Sequence, residues 1–579
     1  MASIASIKPQ AENFRTCKVT GYQVYRPVEK LVLFNAVCAV LMLALGGTLA
    51  LLMALTRYEV IHLLPMELFY RFLTTHGMVM LVFWIVFFEV AALQFGMTVL
   101  LNQRMMGVKF AYLYTGLMTV GAITATATAL AGKANIMFSA YPPMTAHPAF
   151  YLGIILFAVG ALCAACQFVY SVWRAKKEGA IEQNMPLVIY ALLTAAIIAI
   201  WTLLHGAAAY VPAFLQSVGL IKSIDAAAYR LLFWGFGHGA QQVNLAAMVA
   251  AWYALAALTT GARPVHEGLS RAAFVLYLIG INLGSIHHLL VDPGLGLHNR
   301  IINTSYLMYA AALGSLIHAF SIPAAVETAQ RARGFTRGIW DWLKRAPWDQ
   351  PGFSALVISF TGFGFIAGVS GVMMGTMQLN MLIHNTLFVV GHFHSTVVLG
   401  ATLSFMGLSY YVVPLMARRD LAFPKLAKWQ PYVYGFGLLI LIGGMMLSGK
   451  LGAPRRSWDM SYENAAISVD ILSTPAMSFA TMVLAIGAVI AVTGGAMFVL
   501  IMVATVFFGK TSDAPNVGTL AIKAGPQGPV NIVPIPEVDH SKKLDCPATL
   551  RLVYIFLAWF AIMFFIGFAN LARVKWFVG

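Results

Sequence analysis

Gly391-His392-Phe393-His394 lies inside an apolar run from Leu387 to Pro414. A run of about 20 apolar residues is long enough to cross a bilayer. Imidazole in hydrocarbon is costly unless something pairs with it, so an intramembrane histidine marks a functional site by default. Successive helical residues advance by about 100°, which sets His392 and His394 about 200° apart. They leave opposite faces of one helix, where each can ligate a different metal centre. His76, His238, His287 and His288 sit in other apolar segments and supply further candidate ligands of a buried redox centre. The bland alternative for each is a hydrogen-bonded residue at a helix contact.

The rest of the chain fits a membrane setting. Of 579 residues, 60% are hydrophobic and 10% charged, with a mean hydropathy of +0.79. Soluble domains carry about 25% charged residues, so a polytopic membrane protein is expected. A net charge of +16 would suggest nucleic acid in a soluble chain. Here the basic residues occupy short loops between apolar runs, so membrane orientation accounts for them and no nucleic-acid partner is expected. Cys17, Cys38, Cys163, Cys166 and Cys546 are scattered and imply no disulfide framework. The first 30 residues lack a signal-type apolar core, so no cleaved signal peptide is expected.

Hydropathy predicts an all-α bundle of about 13 membrane helices. They centre near 33–55, 70–101, 110–132, 149–173, 187–215, 231–258, 272–290, 301–326, 353–378, 384–416, 432–449, 476–508 and 552–572. The organisation then reads as a cytoplasmic tail over 1–32 and a core of twelve helices over 33–508. A cytoplasmic linker follows over 509–550, then a thirteenth helix with an outer tail over 551–579. With the N-terminus inside, about 26 of the 37 Lys and Arg fall on the inner side. That orientation puts His76, His238, His287, His288, His392 and His394 in one layer of the outer leaflet.

Imidazole suits iron, copper and zinc. Low-spin haem takes two axial ligands, and high-spin haem keeps one face open for chemistry. Six histidines divide as two, one and three. At this point the chain resembles subunit I of the heme–copper oxidase superfamily. The resemblance rests on Thr75-His76-Gly77, Gly235-Phe236-Gly237-His238, His287-His288 before Asp292-Pro293-Gly294, and His384-Asn385-Thr386 leading to Gly391-His392-Phe393-His394. Ala346-Pro347-Trp348-Asp349 and Pro454-Arg455-Arg456 add to it, and the ordering looks most like the B-type branch. The resemblance implies two haems: a low-spin one held by His76 and His394, and a high-spin one on His392. It implies one non-haem metal, copper or iron, on His238, His287 and His288. His384, Arg455 and Arg456 match positions near haem propionates. Asn380 stands where the B-type pattern has Asp.

Oxygen-reducing members resemble one another in supplying an active-site tyrosine, which the B-type pattern places four residues after the first non-haem ligand. Here that position is Gln242. Residues four apart share a helix face, so Gln242 is expected to face the metal site. Cleaving O2 in one step calls on that tyrosine for an electron and a proton, whereas coupling two NO to N2O needs only two electrons. Gln242 therefore points to a divergent nitric oxide reductase. Members of that group carry two acids near the metal, at the positions of Gln242 and Gly314, and both are absent here.

Tyr253, Ser315, His318 and Ser321 fall on positions comparable to the family's polar conduit, and Glu89 is a second proton-path candidate. The resemblance also implies a respiratory enzyme of a bacterial or archaeal cytoplasmic (inner) membrane. An outer-side partner, cupredoxin-like or cytochrome c-like, would deliver the electrons, because no CxxxC copper or CxxCH haem motif is present. Two rivals stand: reduction of O2 to water with proton pumping, and a proton-coupled transporter whose histidines relay protons.

Overall fold

The structure is a computed structural model describing residues 13–18, 23–101, 103–105, 107–179, 181, 185–458, 474–517 and 546–573. Most of the expected linker, at 518–545, and the outer tail beyond 573 therefore lie outside the described residues. A two-stranded antiparallel ribbon, β1 (Phe14–Thr16) with β2 (Gln23–Tyr25), precedes the bundle. All other regular structure described is helical.

Among the described residues, thirteen helices overlap the predicted segments. They are α1 (Arg26–Arg57), α2 (Met66–Leu100), α3 (Val108–Leu130), α4 (Pro148–Lys177), α5 (Leu187–Ser217) and α6 (Ala226–Thr260). Then come α7 (Glu267–Leu283), α8 (Met308–Ala332), α9 (Pro351–Gly375), α10 (Leu387–Ala417), α11 (Pro424–Lys450), α12 (Pro475–Phe508) and α13 (Pro547–Arg573). Eleven contain an apolar stretch long enough to cross a membrane; α7 and α13 fall outside that number.

The bundle closes through small residues and a few buried polar ties, because lipid gives apolar side chains no reason to seek one another. Along α11 and α12 the backbones touch directly: a Cβ added at Gly437 would meet Ala491 N at 2.2 Å, and one at Gly487 would meet Leu441 N at 2.2 Å. A buried chain joins the first four helices. Asn35 Nδ2 donates to Gln94 Oε1 (3.1 Å), Gln94 Nε2 to Tyr114 Oη (3.1 Å), and Tyr114 Oη to Gln167 Oε1 (2.9 Å).

The ends of three elements differ from the hydropathy reading. α7 stops at Leu283, and His287 and His288 lie in a separate 3-10 turn, Ser285–Leu289. His384 does not begin α10; it follows a short helix, Met377–Ile383, and α10 starts at Leu387. The break is local: Asn385 takes φ +60°, which asparagine tolerates better than most residues, and Leu387 N donates to Ala453 O (2.8 Å). Finally, α2 and α10 carry wide π turns at Val79–Phe83 and His394–Thr402, close to His76 and starting at His394. Such turns cluster at functional sites.

The last helix is held from outside itself. Glu327 of α8, fully buried, accepts from Ala548 N (2.9 Å), Thr549 N (2.8 Å) and Thr549 Oγ1 (2.8 Å) at the start of α13, and from Arg331 Nε (2.9 Å). A carboxylate at a helix N-terminus is favoured by the dipole and by the unspent N–H groups there. Glu327→Ala strips those donors of their acceptor and leaves Arg331 buried with an uncompensated charge. A destabilisation of about 3 kcal/mol is expected, read as a lower thermal midpoint of the purified protein in detergent. An unchanged midpoint would contradict this role.

Candidate haem and metal centre

Three imidazoles meet where α6 approaches the 3-10 turn. His238 projects from α6, and its ring centre lies 4.5 Å from that of His287 and 5.2 Å from that of His288. One nitrogen from each ring falls within 4.8 Å of the others. His287 Nδ1 sits 2.5 Å from Gly284 O. A carbonyl only accepts, so that nitrogen carries the proton and Nε2 keeps its lone pair. His288 lies flat on Trp234, with ring centres 3.9 Å apart and planes within 3°, and its Nε2 is 3.1 Å from His238 Nδ1. Two nitrogens bound to one tetrahedral metal at about 2.0–2.1 Å stand about 3.3 Å apart, so this spacing suits a shared ion. The donor set is purely nitrogen, which fits copper, iron or zinc.

Gln242 lies one turn further along α6, its Nε2 3.3 Å from His238 Nε2. Its Oε1 is buried with no hydrogen-bond partner among the described residues. The expectation that positions 238 and 242 share a face is met.

His76 of α2 and His394 of α10 face each other with ring centres 6.4 Å apart and planes within 14°. Each Nδ1 donates to a backbone carbonyl, Gly46 O and Val390 O, both at 2.9 Å. Both Nε2 atoms are thereby left as bases. A metal–nitrogen bond of about 2.0 Å and about 1.1 Å from nitrogen to ring centre put two coaxial axial imidazoles about 6.3 Å apart. The observed spacing fits one iron between them. His392 leaves the other face of α10. Its Nδ1 is 2.9 Å from Ser370 Oγ, whose own proton goes to Ile366 O (2.6 Å), so the serine accepts and His392 Nε2 stays free.

A cleft beside the trio is lined by Trp234, His287, His288, Asn380, His384 and Arg455, among others, with no acid in its lining. Burial, with Arg456 next to it, pulls the Arg455 guanidinium down to about 9. Arg455 Nε is buried without a partner among the described residues, and Arg456 is also lowered by burial. Such cations call for an anion, and the carboxylates of a haem edge would answer. Arg455 Nη2 donates to Asn385 Oδ1 (2.8 Å), and Arg57 of α1 donates to Arg455 O (2.7 Å). Asn380, buried, gives its Nδ2 to Met374 O (2.6 Å), and its Oδ1 has no partner among the described residues.

Three of the four conduit candidates, Tyr253, His318 and Ser321, come together, and the fourth, Ser315, joins Tyr277 beside them. Tyr253 Oη donates to Ser270 Oγ (2.9 Å) and lies 3.0 Å from His318 Nδ1, and Ser321 approaches the same hydroxyl. Ser315 Oγ is 3.1 Å from Tyr277 Oη, and the Tyr277 ring packs on His318 at 5.7 Å. Ser270 and Tyr277 were no part of the conduit the sequence suggested, since packing of α7 against α6 and α8 brings them in. The same packing explains Gly314: an added Cβ would meet Tyr277 Cε1 at 2.9 Å and Ala273 O at 3.0 Å, leaving no room for an acid. Trp234 and Ser370 were likewise invisible, each lying far along the chain from its partner.

Fold and site together define a polytopic membrane protein built to hold two haems and a nitrogen-ligated metal. The comparisons agree. The family model for cytochrome c and quinol oxidase polypeptide I matches residues 30–490. Cytochrome c oxidase subunit 1 of Thermus thermophilus is 30% identical over 450 residues, covering 76% of this chain and 78% of that protein. An alternative cytochrome c oxidase subunit 1 of Bradyrhizobium diazoefficiens is 22% identical over 427 residues, covering 67% of this chain and 68% of that protein. A heme–copper terminal oxidase dimer solved by cryo-electron microscopy superposes with a TM-score of 0.79 at 24% identity, over 87% of this chain and 88% of the other, a likeness of fold. The chain belongs to the cytochrome c and quinol oxidase polypeptide I family, subunit I of the heme–copper oxidases. It is therefore a membrane oxidoreductase, and the transporter reading falls away.

Proposed function

We propose that this chain is the catalytic subunit of a respiratory reductase that converts NO to N2O. In this reading His76 and His394 hold the low-spin haem, His392 the high-spin haem, and His238, His287 and His288 the copper or iron. His384, Arg455 and Arg456 lie at the haem carboxylates, which the two guanidiniums neutralise. When bound, these groups carry electrons to the gas and bind it. The chain is taken to lie in a bacterial or archaeal cytoplasmic membrane with its N-terminus inside, fed by a cupredoxin-like or cytochrome c-like partner on the outer side.

The observation that carries the preference for NO is Gln242. Its amide lies against His238, where an oxygen-reducing site of this pattern has a tyrosine. An amide cannot lose an electron and a proton, but it can donate a hydrogen bond to a bound gas molecule or accept one from a nearby ligand. Tyr253, His318, Ser321, Ser270, Ser315 and Tyr277 would pass protons toward the site. The second reading is reduction of O2 to water with proton pumping; its oxidase part is supported by the names of the Thermus and Bradyrhizobium relatives, both cytochrome c oxidase subunits 1.

One preparation, reduced and assayed anaerobically with NO and then separately with O2, decides between them. Faster NO than O2 consumption is expected; O2 turnover without NO turnover would sink the proposal. Gln242→Ala should cut NO turnover by about tenfold or more and leave the low-spin haem spectrum unchanged, the loss expected when one positioned hydrogen-bonding group is removed from a reacting site.

A further inference from the structure

A second constellation lies on the other side of α6. Glu89 of α2 is buried among Val86, Val90 and the helices α4, α5 and α6, around a cavity of about 120 Å³. The lining is apolar except for Glu89, Thr202, Tyr210 and Asn244. Tyr210 is committed, donating to Phe138 O (2.6 Å). With its amide turned to suit both neighbours, Asn244 Nδ2 donates to Ala240 O (3.2 Å) and to Glu89 Oε1 (2.9 Å). Thr202 is 2% exposed, and its hydroxyl has no partner among the described residues. That hydroxyl rests against Gly239, where an added Cβ would come within 2.2 Å of Oγ1. Gly239 is the residue after His238. Asn244 lies six residues from His238, a rise of about 9 Å.

An acid and an unspent hydroxyl thus share one small cavity beside the helix that carries the first metal ligand. An apolar cavity stays dry, whereas polar atoms on its wall allow it to hold water. An intramembrane acid is expensive and marks proton relays. We infer that Glu89 is a proton-relay residue of the reduction, passing protons through cavity water and the Thr202 hydroxyl toward the metal site, with Asn244 as its positioning residue.

This inference rests on the reductase reading but not on the choice of gas. Two NO take up two electrons and two protons to give N2O and water; O2 takes four of each to give two waters. The electrons come from the cupredoxin or cytochrome c class of donor. At each transfer the Glu89 carboxyl O–H breaks as water accepts the proton, and the carboxylate is reprotonated from the inner side.

The test uses the full protein with donor in excess and both gases, over pH 5.5 to 9. Glu89→Gln keeps size and hydrogen bonding but cannot exchange the proton. Its kcat should fall by about tenfold or more at unchanged KM for the gas, with both haem spectra intact. Glu89→Asp should recover part of the rate, and Thr202→Val should fall between. The pH dependence of kcat should flatten in Glu89→Gln. Wild-type kcat at every pH in Glu89→Gln would overturn the inference and leave proton supply to the Tyr253 and His318 group. A rise in KM alone would overturn it in favour of a gas passage. Loss of haem without rescue by Glu89→Asp would overturn it in favour of a packing role. If the wild type consumes only O2, the preference for NO fails while the Glu89 comparison is still read with O2.

Discussion

His392→Ala is expected to abolish gas turnover, to below about 1% of wild type, while the low-spin haem spectrum survives. The serine that orients His392 sits on α9. Alanine leaves no nitrogen there, and nothing on α9 can replace it: Ser370 is spent on a backbone carbonyl, and Gly371 brings no side chain. His394 points away from the vacated position. It keeps its bond to Val390 O and its opposite number His76. Haem extraction should therefore return one haem per chain where the wild type returns two. Equal loss of both haem signals would contradict the division of ligands between the two faces.

His288→Ala should remove the non-haem metal and leave both haems. Metal analysis should show loss of one copper or iron per chain, and turnover should drop by at least about a hundredfold, since even supporting residues around a metal cost about 10–100-fold. The remaining pair, His238 and His287, offers two nitrogens where the intact cluster offers three. His287 is pinned through Gly284 O and cannot swing to compensate. Full metal content with full turnover in His288→Ala would remove the trio from the mechanism.

Much of this architecture was legible before any contact was seen. Hydropathy located the eleven helices long and apolar enough to cross a membrane, because a chain crossing lipid must satisfy its backbone within each span, and that demand is local. A spacing of two positions, His392 to His394, was enough to set them on opposite faces, and a spacing of four, 238 to 242, to set them on one. Where the reading slipped, the cause was backbone detail that hydropathy does not register. The left-handed Asn385 and the end of α7 at Leu283 moved His384, His287 and His288 from helix into turns.

Composition and short-range periodicity set the membrane class, the order of the helices and the six histidines. Tertiary packing fixed which ring nitrogens face a metal, that Gln242 touches His238, and that Tyr277 fills the space beside Gly314. It alone set Glu89 against Asn244 and Glu327 under α13. Those pairings join residues from different helices, separated by 36 residues or more except at His238 and Gln242. No local periodicity specifies them; they follow from how close small residues let the backbones come and which polar groups must then find one another.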